Sequence, residues 1–149
     1  MPDLILTTYD WVPPPPRGFV RDLRIRWALE EAGLPYRIES TPFRDRGPDH
    51  LAHQPFAQVP WLMDGDLSLF ESGAILLHLG QKSTALMPAD PAGRAEVTQW
   101  VFAALNSVEP PVMCFMFHRF SGEGEDSTAL AAMGRFVDLR LSRMEAVLS

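Results

Sequence analysis

The 149 residues of this chain amount to 16.7 kDa, room for one compact domain or a small domain with part of a second, and too little for a large multidomain enzyme. A hydrophobic fraction of 46% with 21% charged residues excludes the composition of a disordered chain, and thirteen basic against nineteen acidic residues, a net charge of -6, disfavours nucleic acid or an anionic membrane as partner. The single cysteine, Cys114, excludes an intramolecular disulfide framework, a CxxC redox pair and a cysteine-rich zinc site, and suits a reducing cytoplasm. The opening stretch MPDLILTTYD has no basic region before a long apolar one, and no eighteen apolar residues run uninterrupted, so the chain reads as soluble, unexported and cytoplasmic, with no membrane partner.

Leu4 to Tyr9 is short, apolar and partly β-branched, the pattern of a buried strand. Pro13 to Pro16 forbid helix and favour extended polyproline II geometry, after which a helix is expected from about Phe19 to Ala32, stopped by Gly33. Leu23, Trp27 and the alanines fall on one side of it, Glu30 and Glu31 nearer the solvated side. Tyr36 to Ser40 suits a second strand, and residues 41–55 read as loop with a turn or two of helix near Asp49 to Ala52. Val59 to Met63 and Leu67 to Leu69 flank Asp64-Gly65-Asp66, a hairpin signal, and Glu71 to Leu79, with Ile75, Leu76 and Leu79 apolar and Gly80 behind, predicts a short helix.

Beyond a linker at 81–90 the pattern is helical. Asp90-Pro91 supplies a cap and a first-turn proline, and Val97, Trp100, Val101, Ala104, Leu105 and Val108 form one apolar stripe. Pro110-Pro111 is expected to kink or interrupt that helix, and Ser121 to Asp126 reads as a turn. Leu130, Met133, Val137, Leu141, Met144 and Leu148 then repeat at helical spacing to the last residue, with no stop signal. That pattern is expected of a sequence cut inside a larger helical domain. The order describes a small mixed α/β domain joined to an all-helical segment.

Within that frame a few residues bear chemistry. A proline at Val59-Pro60 belongs at a strand start or edge, where a cis bond is also compatible; it is either purely structural or leaves main chain at Val59 open to an extended peptide. Glu71-Ser72-Gly73 opens a helix, so Ser72 is either an ordinary cap or, with the unpaired N–H groups there, part of a carboxylate site. Arg17, Arg21 and Arg24 recur at three- or four-residue spacing beside Arg26, with Asp22 opposing them, which fits a solvated helix face, or an anion-attracting or interdomain patch. His50 and His53, at i and i+3, have no third ligand at a telling spacing, so no metal is expected. Met113 to Phe117 is a soft apolar run suited to core or interface.

Three stretches resemble a known family. QVPWLMDGDLSLFESGAILLHLG, Gln58 to Gly80, is similar to the glutathione-binding half of the glutathione transferase superfamily, where a VP step, a DG hairpin and an ES helix start occur in that order. RIRWALEEAGLPYR, Arg24 to Arg37, resembles the first helix and second strand of the same domain, and DPAGRAEVTQWVFAALNSVEPPV, Asp90 to Val112, the first long helix of its helical domain. The resemblance implies a thioredoxin-like α/β domain over 1–80, a mixed four-stranded sheet with flanking helices and a cis-Pro at Pro60, followed after the linker by the start of a helical domain over 91–149. It also implies glutathione as co-substrate, bound along Gln58, Val59 and Pro60 with its γ-glutamyl end at Glu71 and Ser72, conjugation to a small hydrophobic electrophile lined in part by the Met113 to Phe117 run, and a homodimer. The alternative is a non-catalytic glutathione-binding or protein-interaction module.

The chemistry of such a site is to form a thiolate from a thiol whose ordinary pKa is about 8.5. Many members place Ser or Cys at the start of the first helix, whereas this chain has Phe19-Val20-Arg21 after its prolines. Tyr9 resembles the tyrosine used in other members, and is otherwise an aromatic closing the end of a strand. Arg17 and the backbone near Gly18 and Phe19 are the rival sources of positive potential.

Overall fold

The computed structural model describes residues 4–14, 16–122 and 127–149. The chain divides into two compact units, Met1–Ala95 and Glu96–Ser149. In the first, a four-stranded sheet of order β2-β1-β3-β4 is built from β1 (Leu4–Tyr9), β2 (Tyr36–Thr41), β3 (Trp61–Asp64) and β4 (Leu67–Phe70). β1 and β2 run parallel, joined through α1 (Asp22–Glu31), while β3 is antiparallel to both β1 and β4. This is the thioredoxin-like arrangement that the resemblance implies.

The period of two along the strands sorts the faces. Leu4, Leu6 and Leu62 pack with Ile25, Ala28 and Leu29 of α1 and with Ile75 and Leu79 of α3 (Ser72–Gly80) into one core. Trp61, one residue out of phase with Leu62, meets His50 and His53 of the short helix α2 (Pro48–His53). Gly33, at φ +61, ends α1: its N–H reaches Glu30 and the next N–H, on Leu34, reaches Leu29, the paired closure that a left-handed residue makes possible. The hairpin turn is Gly65-Asp66, and Gly65 takes the positive φ, +58.

Two expectations fail around α1. The proline segment is not an extended run: Arg17 N–H bonds Pro14 and Phe19 N–H bonds Pro16, so the chain makes successive turns and the helix begins at Asp22 instead of Phe19 (Pro15 lies outside the described residues). The inner face carries Asp22, Ile25, Ala28 and Leu29, whereas Trp27 is 70% exposed with its indole N–H on Glu31. Both faces of this helix bear apolar residues, so periodicity alone left the choice open, and the sheet accepts the more compact aliphatic side.

The second unit is helical. α4 (Pro91–Phe102), which starts in the first unit, passes into a π-helical segment, Ala103–Val108, and then α5 (Glu109–Phe120); α6 (Thr128–Leu148) follows. As expected, the α-helical pattern is interrupted at Pro110 and Pro111, by the π-helical segment directly ahead of them. They occupy the first turn of α5, where no intrahelical N–H is needed, and the wider turn ahead of them, in which Glu109 N–H reaches Ala104 five residues back, takes up the mismatch. Ser127 caps α6 through Leu130 N–H and is met by His118 Nε2 from α5 at 3.0 Å. Gly134 of α6 faces Phe115 of α5, where an added Cβ would lie 3.4 Å from the ring, an ordinary van der Waals contact. Residues 123–126 of the expected turn lie outside the described residues. The 30-residue run Pro91–Phe120 contains an 18-residue window of mean hydropathy 1.3, enough by length and composition alone to cross a membrane, a test that the core helix of a soluble protein also passes.

Candidate functional site

The register of the hairpin assembles the site. Trp61 pairs with Phe70, so the residues next outward, Pro60 and Glu71, leave the sheet side by side at one end. The β1–β3 ladder starts at Thr7 and Trp61, and continuing it carries Tyr9 to the level of Val59. The register thus brings Tyr9, Val59, Pro60, Glu71 and Ser72 to one end of the sheet, the edge where β1 finishes and β3 begins. The Val59-Pro60 peptide is cis, and Val59 lies before the first laddered residue of β3, so its main chain stands outside the sheet pairing.

Two non-glycine residues among those described have positive φ, and both border this edge: Ala57 at +55, just before Gln58, and Glu71 at +68, just before Ser72. Left-handed backbone costs such residues about 1–2 kcal/mol, so contacts must hold it. At Ala57 two donors converge on one carbonyl, the Tyr9 hydroxyl at 3.3 Å and Arg46 Nη1 at 2.6 Å. Arg46 also donates to Phe43 O and lies 5.1 Å from the Tyr9 ring centre. At Gln58 the carbonyl accepts from His50 Nε2 at 2.8 Å. A carbonyl only accepts, so Nε2 carries the proton and Nδ1 receives the Thr41 hydroxyl, 3.2 Å away. His50 is buried, and His53 stacks on Trp61 and bonds Ser68, so both histidines hold structure. Among the described residues no three His, Cys, Asp or Glu side chains converge on a point.

Ser72 is 3% exposed and opens α3 behind Glu71, which provides no side-chain cap. Ile75 N–H bonds Glu71 O, four residues back, so the N–H groups ahead of it in the first turn have no intrahelical acceptor and lie, with the positive end of the helix dipole, at the end of the sheet where Glu71 leaves it beside Pro60. Arg24 Nη1 lies 3.3 Å from Ser72 Oγ and Arg21 Nη1 lies 3.3 Å from Gln58 Oε1. Residues three apart at the start of α1 thereby reach two sides of the same edge, which sets aside the reading of this arginine patch as only a solvated face. Their partners lie 37 and 48 positions away in the sequence, so no local spacing announced them. Nor did spacing announce Arg46 and His50, which shape the Ala57-Gln58 segment.

Burial pushes the Tyr9 phenol above its ordinary pKa, partly offset by the nearby Arg46 charge. Its hydroxyl hydrogen is directed to Ala57. Arg17 is exposed in the proline segment, with Nη2 3.4 Å from Val12 O. Of the run Met113 to Phe117, Cys114 lines a cavity of about 360 Å³ within the second unit, together with Pro110, Pro111, Met133, Phe136 and Arg140.

The first unit is similar to known proteins. Residues 6–81 match the family "Glutathione S-transferase, N-terminal domain". Glutathione S-transferase 4 of Zea mays is 38% identical over 96 residues, covering 60% of this chain and 42% of that protein. The disulfide-bond oxidoreductase YfcG of Escherichia coli is 34% identical over 107 residues, covering 65% and 48%. Among solved structures, a glutathione transferase from Burkholderia graminis, with two glutathione molecules bound per subunit, superposes with a TM-score of 0.80 at 30% identity, covering 96% of this chain and 61% of that one. The chain spans less than half the length of these curated relatives.

Proposed function

The chain belongs to the glutathione S-transferase superfamily, and from that premise we propose that it binds glutathione at the sheet edge and adds the sulfur to a small hydrophobic electrophile. The observation that carries this reading is the placement of buried Ser72, with Arg24 on its oxygen, at the uncapped start of α3 and beside the cis Val59-Pro60 step. A tripeptide of about 10 Å lies along Gln58, Val59 and Pro60 by its main chain, and its γ-glutamyl carboxylate meets the Ser72 hydroxyl and the first-turn N–H groups beyond Glu71. In the reaction the thiol proton passes to solvent, the thiolate pair forms the S–C bond, and the displaced pair leaves with the leaving group or enters the electrophile's conjugated system. A hydrogen bond from the Tyr9 hydroxyl, or positive potential from Arg17 or the turn at Gly18 and Phe19, favours the thiolate; a shift of two pKa units needs about 3 kcal/mol. Homodimeric assembly and a cytoplasmic location belong to the same proposal.

A second reading, a glutathione-binding module without catalysis, is favoured by one observation: the Tyr9 hydroxyl already donates to Ala57, while the side chains of Phe19 and Val20 have no donor. Exchange through a protein disulfide would need a cysteine in the first unit, and Cys114 is in the second.

Titration calorimetry with glutathione, followed by conjugation of a general aromatic electrophile, separates the readings. Saturable binding with turnover above the buffer rate supports transfer, and binding without turnover supports the module. No heat at millimolar ligand refutes both. Tyr9→Phe with unchanged turnover removes Tyr9 from the mechanism.

A further inference from the structure

Gln58 and Ser72 each carry both a hydrogen-bond donor and an acceptor, so by themselves they would tolerate ligands of either polarity. An arginine side chain has donors only. Where Arg21 meets Gln58 and Arg24 meets Ser72, each at 3.3 Å, the amide or hydroxyl oxygen must therefore be the accepting atom. With Oε1 engaged, the Gln58 amide offers its two N–H hydrogens. With the Ser72 oxygen engaged, its hydrogen rotates away from the guanidinium. The backbone N–H groups of the first turn of α3 cannot receive that hydrogen. A ligand oxygen can.

We propose that Arg21 and Arg24 are positioning residues that turn Gln58 and Ser72 into donors toward the ligand, so that the site selects a carboxylate at Ser72 and an acceptor group beside Gln58. This rests on the glutathione reading and adds to it the source of polarity. Selection works by exclusion as well as attraction: an amide placed where the carboxylate sits would bring its own donors against a hydroxyl, a guanidinium and backbone N–H groups that accept nothing.

The test compares the affinity of glutathione with that of its analogue bearing an amide in place of the γ-glutamyl α-carboxylate, in wild type, Arg24→Met, Ser72→Ala and the double variant. Wild type is expected to favour the acid by at least about tenfold. In Arg24→Met the Ser72 oxygen can accept from the amide, and the preference falls to about threefold or less. Adding Arg24→Met to Ser72→Ala is expected to change glutathione affinity by less than about twofold, the signature of one residue acting through the other. Arg21→Met with Gln58→Ala, a more exposed pair, repeats the cycle with a smaller effect, about threefold. Arg24→Gln replaces Arg24→Met should the latter fail to fold. An unchanged acid-to-amide ratio in the arginine variants, or fully additive losses, overturns the proposal while leaving glutathione binding standing. Absence of glutathione binding by wild type removes both together.

Discussion

The two units use apolar periodicity to different ends. In the first, Leu6, Ile25, Leu29, Leu62, Ile75 and Leu79 are sealed from solvent, and each helix stripe meets a sheet face. In the second, Leu130 is the one buried residue among those described, while Phe102, Phe117, Phe120 and Leu148 are all more than half exposed. The stripes of α4 and α6 were as regular in sequence as those of α1 and α3. Periodicity identifies an element and its apolar side; it does not supply the surface that covers that side. The first unit therefore closes its own core around the elements that hold the strained edge, whereas the second packs two helices around a small junction.

The largest effect should follow from opening the closed core. Leu62→Ala is expected to cost about 2–5 kcal/mol in chemical denaturation, against less than about 1 kcal/mol for Leu141→Ala on the exposed stripe; equal losses would mean that the second unit is buried elsewhere in solution. Next comes the link from sheet to edge: His50→Ala leaves the Gln58 carbonyl without its buried donor, and a loss of about 1–3 kcal/mol is expected together with weaker glutathione binding. A stability loss without any change in binding would uncouple that histidine from the site. Ala57→Gly relieves left-handed backbone and should stabilise by up to about 1 kcal/mol, offset in part by greater unfolded-state freedom. A destabilised variant would show that the alanine methyl is needed for packing.

The smallest effect concerns pH. Asp64 accepts from Lys82 and from His78 Nε2, and these hydrogen bonds, Lys82 first, hold its carboxyl below the ordinary range. A depressed folded-state value means that stability is present above the unfolded pKa, about 4, and is lost as pH falls through the folded value. Asp64→Asn should flatten the acid limb of the stability profile of the first unit and leave the α5–α6 pair untouched; an unaltered acid limb would place the sensitivity on another carboxylate.

Much of the first unit was legible because its signals are local. Gly33 closes a helix through backbone it alone adopts easily, Gly65 turns a hairpin, and Pro60 and Ser72 mark where a strand and a helix begin. What escaped the sequence depends on partners far along the chain. The buried side of α1 was chosen by a sheet that its own residues do not encode, and Trp27 went outward in consequence. The Arg46 and Tyr9 clamp on Ala57, the Thr41–His50–Gln58 relay, and the arginines on Gln58 and Ser72 are all contacts over at least eight positions that join different segments of the chain, so neither the helical nor the strand period registers them. The family resemblance located the edge without revealing what holds it in shape.

The π-helical segment at Ala103–Val108 has a consequence of phase. A single widened turn behaves as one surplus residue in a screw that advances about 100° per residue. Whatever faces inward on the Glu96–Phe102 stretch is therefore out of step with what faces inward on α5, and the two halves of one apparently continuous rod address different directions. Removing one residue from the segment would rotate the whole of α5 by more than a quarter turn and bring a different set of its residues to the inward side.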